Sequence, residues 1–253
     1  INIMLIRLLA SLITQIGRFI NEPAKCSNEE IHFTSGAIGV FYQMGIAKYL
    51  KERYQTECYT YSGVSAGSWC GMMLASDIST EELDNVIYGI CGKLGEGNFW
   101  LDGPYVAKKM ILNTDFNVDY SRIKIGITQF NPFPEKKYVD NFRNKSDVIE
   151  ACIASSHIPL LSGQIATTYN NSYSIDGGIM LLGGDLVKTG ALFCFPPDIW
   201  GKEYNRETFY DFSEESAIEM YKEGYKDTKK NRHCLDQFIA RRKSGWIRDS
   251  AII

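Results

Sequence analysis

Gly63-Val64-Ser65-Ala66-Gly67 follows Cys58-Tyr59-Thr60-Tyr61-Ser62, a short segment rich in aromatic and β-branched residues, and precedes an apolar run from Trp69 to Ala75. The first flank reads as a strand and the second as a buried helix, so this Gly-x-Ser-x-Gly pentapeptide falls on a strand-to-helix turn. A serine held there has its Oγ directed outward. Gly63 and Gly67 lack the side chains that would keep strand and helix apart. The first N–H groups of the following helix are aimed where negative charge on a reacting carbonyl would develop. Three fixed positions in five arise by chance in roughly one chain in ten of this length, so the flanks and the rest of the chain carry the decision.

Working outward, Ile31-His32-Phe33-Thr34 reads as a strand and Ser35 to Gly39 as a glycine-containing turn. Val40 to Arg53 has helical apolar spacing. Ser79 to Leu94 opens on a capping box, Ser79 with Glu82. Trp100 to Asp119 fits neither period. Arg122 to Phe130 alternates as a strand with Ile123, Ile125 and Ile127 on one face, closed by Asn131-Pro132-Phe133-Pro134. Ser146 is placed as the cap of a helix that Pro159 ends. Tyr173-Ser174-Ile175 is a strand running into Asp176-Gly177-Gly178, and Ala191 to Phe195 is another, with a loop at Pro196-Pro197. Phe212 to Lys243 is highly charged with helical spacing and reads as a solvated surface helix pair.

The chain has 253 residues and a formal net charge of −3, enough for one substantial core and with no basic field for nucleic acid. Seven cysteines without a Cys-x-x-Cys pair read as reduced thiols of a cytosol-like compartment. The three histidines, His32, His157 and His233, are far apart in sequence, and no metal cluster is expected. On a wheel at ~100° per residue, Met4 to Ile20 gathers Arg7, Ser11, Thr14, Gln15 and Arg18 in one polar stripe. Interrupted by two arginines and at the short limit for spanning, the segment is not expected to cross a bilayer. A helix packed on the core, a helix lying in a membrane interface and, since the chain starts at Ile1, the remnant of a targeting segment all fit it.

A glycine turn after the first strand, the pentapeptide after the second and Asp-Gly-Gly far downstream, in that order, resemble the patatin-like phospholipases. Phe41 to Leu50 is similar to that family's first helix, and Ala151 to Pro159 to its Ala-Ser-x-x-x-Pro segment. The resemblance covers Ile31 to Ile179. It implies a three-layer α/β/α fold with a mainly parallel sheet, and a hydrolase domain over 29–200 between an amphipathic helix over 1–21 and a charged helical segment over 201–253. It implies Ser65 as nucleophile and Asp176 as its base, with Gly177 and Gly178 completing the motif. Backbone N–H groups of Gly36, Ala37 and Ile38 would form the oxyanion hole. The implied activity is hydrolysis of glycerolipid acyl esters through an acyl-serine, at a membrane or lipid-droplet surface, peripheral or cytoplasmic, with no cofactor. Phospholipid, galactolipid and triacylglycerol all remain open as substrates.

Two departures stand out. The family's oxyanion turn usually reads Gly-Gly-Gly-x-Arg/Lys-Gly, where this chain has Ser35-Gly36-Ala37-Ile38-Gly39-Val40, and its Asp-Gly-Gly is often followed by Asn and Pro, where Met180 to Gly184 has neither. Two other readings compete. An α/β-hydrolase with a Ser65, Asp176 and His233 triad has the right chain order, but little sheet precedes the pentapeptide and His233 lies in a charged run. A lipid-surface binding protein without turnover would account for the depleted turn. His157 alone reads as a hydrogen-bonded core histidine.

Overall fold

The computed structural model describes residues 30–94, 97–179, 191–193, 200, 212–236 and 239. The readings of the 1–21 segment, of Pro196-Pro197 and of Met180 to Gly184 lie outside the described residues. Among the described residues seven strands form one sheet: Glu30–Phe33 (β1), Thr60–Val64 (β2), Ile123–Phe130 (β3), Pro134–Val139 (β4), Thr167–Tyr169 (β5), Ser172–Ile175 (β6) and Ala191–Phe193 (β7). The order is β5-β6-β3-β2-β1-β7, with β4 on β3. From β3 through β2 and β1 to β7 the pairing is parallel, and β4, β5 and β6 add antiparallel pairs at one end. The fold is mixed α/β around a sheet whose centre is parallel, as the sequence led us to expect.

Helix Val40–Arg53 (α1) has the range its spacing predicts, and it ends on Lys51 and Arg53, which suit the negative end of its dipole. Phe41, Tyr42, Met44, Ile46, Ala47, Tyr49 and Leu50 are all buried, a girdle wider than one apolar stripe, because α1 is covered on more than one side. One cover is Ala66–Leu74 (α2), every residue of which is buried as it crosses β1, β2 and β3. Another is Glu214–Lys230 (α6), from the charged stretch. Its exposed face carries the charges, while Ala217, Met220, Tyr221, Gly224 and Thr228 are buried, so the stretch is solvated on one face only. Arg232–Leu235 (α7) follows as a single short turn.

The α1–α6 contact is glycine to backbone. A Cβ on Gly224 would lie 2.0 Å from the Tyr42 carbonyl oxygen, and one on Gly45 would lie 2.1 Å from that of Tyr221. Helix backbones cannot yield locally at such distances, so the whole pair must separate. We expect Gly224→Ala to destabilise the protein by about 3 kcal/mol in urea unfolding. A change of under about 0.5 kcal/mol, the usual range for a surface substitution, would mean that α6 is not held against α1.

Helix Thr80–Leu94 (α3) carries the capping box: the Glu82 N–H donates to Ser79 Oγ at 3.1 Å and the Ser79 N–H to Glu82 Oε2 at 3.1 Å. The region that fitted neither period is largely taken up by Phe99–Leu112 (α4), which starts one residue before it and is capped by Asn98, whose side chain accepts from the N–H groups of Trp100 and Leu101. Lys145–Ser155 (α5) is capped by Asn144, not Ser146: Asn144 Oδ1 takes the Asp147 N–H at 2.9 Å, and Asp147 in turn holds Arg143. Ile123, Ile125 and Ile127 share a buried face as expected. β4, which the sequence reading did not assign, is an edge strand with Glu135 and Lys137 exposed, a composition that discourages further pairing.

Candidate active site

The sheet register brings Ser65 and Asp176 together. Val64, the last residue of β2, pairs with Gly126 of β3, and Ile175, the last of β6, pairs with Thr128. β4 occupies the opposite edge of β3 over Ile125 to Phe130, so β2 and β6 share one edge and approach end to end. The residues that follow each strand, Ser65 and Asp176, therefore meet beside Ile127. Ser65 Oγ donates to Asp176 Oδ2 at 2.5 Å.

Ser65 has φ 54° and ψ −126°, a conformation costly for a residue with a Cβ. Its surroundings hold it there. The Ser65 N–H donates to Ser155 Oγ at 2.7 Å, and that hydroxyl donates onward to the Gly126 carbonyl at 2.7 Å. The Ser155 carbonyl accepts the Gly177 N–H at 3.0 Å, and the His157 carbonyl accepts that of Asp176 at 2.7 Å. One segment at the end of α5 thus fixes the backbone on both sides of the pair. The sequence reading singled out this segment by its Ala-Ser-x-x-x-Pro pattern but gave Ser155 no task.

The glycines are required by close approach. A Cβ on Gly63 would lie 2.3 Å from the Gly67 carbonyl oxygen, and one on Gly67 would lie 2.2 Å from that of Phe33 in β1. A Cβ on Gly177 would lie 2.1 Å from the Gly126 carbonyl oxygen, so a side chain there would push Asp176 away from Ser65. The Gly178 N–H donates to Asp176 Oδ1 at 2.7 Å.

Asp176 is buried, and burial pushes its pKa up to about 6, partly offset by the Ser65 hydroxyl and the Gly178 N–H, which favour the charged form. Beside it, Ala37–Gly39 forms a 3-10 turn that enters α1, with Ala37 at φ 50°. The N–H groups of Gly36, Ala37, Ile38 and Ala66 donate to no acceptor among the described residues. Gln43, buried on α1, donates from Nε2 to the Thr34 carbonyl at 2.8 Å and packs under Gly36, which fixes the turn from below.

A family model described as patatin-like phospholipase matches residues 32–181, more than half of the chain. The chain belongs to the patatin-like phospholipase family. It is thereby one of a family of lipid acyl hydrolases. Among solved structures it is similar to VipD from Legionella pneumophila, with a TM-score of 0.51 and 13% identity over 85% of this chain and 68% of VipD. At that identity the likeness speaks for the fold alone. No curated protein matches the chain.

Ser65 lines an apolar pocket of about 750 Å³, its open mouth included. Ala37, Val40, Phe41 and Met44 form one wall, and Ala66, Trp69 and Met73 of α2 another. Ile87, Ile90 and Leu94 of α3 line it as well, and α4 contributes Trp100, Gly103, Pro104, Ala107 and Ile111. The sequence reading missed this wall, although its positions recur at helical spacing.

The histidines stand apart from Ser65. His157 is buried and donates from Nε2 to the Gln164 carbonyl at 3.1 Å, the core histidine its position led us to expect. His233 is exposed on α7, which Tyr54 ties to the C-terminal end of α1 through hydrogen bonds to Arg232 and Asp236. Ser65 faces the N-terminal end of α1, and a helix of this length separates the two ends by about 20 Å. The triad of Ser65, Asp176 and His233 is not assembled.

Proposed function

We propose that this protein cleaves acyl esters of glycerolipids with Ser65 as nucleophile and Asp176 as general base, working peripherally at a membrane or lipid-droplet surface. The observation that carries the reading is the 2.5 Å hydrogen bond from the Ser65 hydroxyl to a buried carboxylate at the mouth of an apolar pocket. In the first half-reaction Ser65 Oγ attacks the ester carbonyl while its proton passes to Asp176. The N–H groups of Gly36, Ala37 and Ile38 receive the oxyanion, each worth about 3 kcal/mol of barrier. The tetrahedral intermediate collapses, Asp176 returns the proton to the departing alcohol, and the acyl group stays on Ser65. Water then attacks the acyl-serine while its proton passes to Asp176, and as the second tetrahedral intermediate collapses Asp176 returns that proton to Ser65 Oγ, releasing the fatty acid and restoring the pair. The apolar pocket suits the acyl chain, with each buried methylene worth about 0.8 kcal/mol.

A base must be ionised to act, and Asp176 titrates at about 6 rather than in the usual carboxylate range. For a soluble short-chain ester we expect kcat/KM to be level above about pH 7 and to fall toward tenfold per pH unit below about pH 6. Measured across pH 4.5 to 8.5, a profile level down to pH 4.5 would exclude Asp176 as the base.

A further inference from the structure

From Ala151 to Ile175 the chain runs for 25 residues without an Asp, Glu, Lys or Arg, where its overall composition would place about six. Part of that run is buried, through Ile158, but the loop that follows is not. Leu160 is 62% exposed and Ile165 is 72% exposed. Leu160 also sits at φ 67°, a conformation that costs a leucine about 1–2 kcal/mol.

The loop is firmly built around that strain. The Ser162 N–H donates to the Ile158 carbonyl at 2.9 Å, the Leu160 N–H donates to that of Gln164 at 3.2 Å, and the Gln164 carbonyl also receives His157 Nε2. An exposed leucine held in a strained conformation by the surrounding hydrogen bonds points to a purpose other than packing. On the facing element, Leu101 and Tyr105 of α4 are 40% and 59% exposed, and Leu101 closes to within 3.2 Å of where a Gly163 Cβ would stand. Both elements line the Ser65 pocket, the loop through Ile158 and α4 through Trp100 and Gly103.

We propose that Leu160, Ile165, Leu101 and Tyr105 form an insertion rim that seats the mouth of the Ser65 pocket in the acyl layer of a lipid surface. The proposal rests on the reading of Ser65 as the site of lipid hydrolysis, since it explains how an acyl chain leaves an aggregate without crossing water. The occupant is the apolar layer of a bilayer rather than its headgroup charge, because the loop offers uncharged side chains only. Insertion of this kind is insensitive to salt, whereas attraction to anionic headgroups is screened.

The test uses the full chain carrying Ser65→Ala, so that nothing is hydrolysed, with phosphatidylcholine vesicles and cosedimentation as the readout. Leu160→Asn removes the apolar side chain while supplying a residue at ease with positive φ, and Tm should hold or rise. We expect Leu160→Asn and Ile165→Asn each to weaken partitioning about tenfold, to the same extent at 0.1 M and 0.5 M salt. In the chain with Ser65 intact, the same pair should slow hydrolysis of vesicle lipid by a similar factor and leave a soluble short-chain ester within twofold. Unchanged partitioning, no binding to phosphatidylcholine by the parent chain, or an equal loss on the soluble ester would each overturn the proposal. The vesicle measurement requires no turnover, so failure of Ser65 to act as a nucleophile would be seen separately in ester hydrolysis.

Discussion

Ser65→Ala is expected to reduce hydrolysis of a short-chain acyl ester to background, a loss of about six orders of magnitude if the serine acts as a unit with its base. The substitution removes one hydroxyl from a backbone that Ser155 and Gly126 already hold, so the circular dichroism spectrum and Tm should stay close to those of the parent. Measurable turnover near the parent rate in the folded variant would remove Ser65 from the chemistry. It would also leave unexplained why the chain holds a serine in a strained turn with its hydroxyl on a buried carboxylate.

Asp176→Asn is expected to separate activity from stability. Loss of the base should lower kcat by about a hundred- to ten-thousandfold. Stability should move the other way. Burial raises the folded-state pKa of Asp176 from 3.8 to about 6, so the folded protein binds a proton that the unfolded chain has released between those values. The carboxylate therefore adds nothing unfavourable below about pH 4, and its cost grows to about 3 kcal/mol as pH rises through 6. Asn is neutral throughout and can still accept from Gly178. We expect the variant to match the parent at pH 4 and to be the more stable of the two at pH 8, by up to about 3 kcal/mol in urea unfolding. A variant less stable than the parent at pH 8 would mean that the ionised carboxylate contributes to the fold instead of burdening it. His157→Ala and His233→Ala should leave most of the activity, since neither ring touches Ser65 or Asp176.

The parts of the site that were legible in the sequence are those where backbone contact leaves no choice of residue. Gly63, Gly67 and Gly177 each face a carbonyl at a distance no Cβ tolerates, and Asp176 must follow the strand that ends against β2, so motif and geometry are two descriptions of one constraint. The pocket wall was less legible for an equally physical reason. Trp100, Gly103, Pro104, Ala107 and Ile111 recur with helical spacing, but two of the five are the residues that break helices, and what holds the segment helical is its packing against α3 and α5, which local spacing does not show. In α6 the helical spacing was legible, but its buried face of Ala217, Met220, Tyr221, Gly224 and Thr228 was masked by the charges of the solvated face and by two positions too small to register as core. Asn144 displaced Ser146 as the cap through contacts that lie within five residues: Asn144 Oδ1 takes the Asp147 N–H while the Asp147 carboxylate accepts from Arg143, a local pairing that the sequence reading passed over for the nearer serine. The depleted glycine turn at Ser35 to Gly39 keeps a 3-10 form, with Ala37 itself taking up the positive φ that a glycine would otherwise supply.

Covalent labelling by a fluorophosphonate, read by peptide mass spectrometry, tests the central claim most directly, because the probe reacts with a serine only where nucleophile, base and oxyanion donors are assembled together. The expected result is a single adduct on Ser65, absent in Ser65→Ala, strongly slowed in Asp176→Asn and unchanged in His233→Ala. A folded parent chain that takes no label, or takes it at a serine other than Ser65, would contradict the assignment of this pair as the catalytic centre.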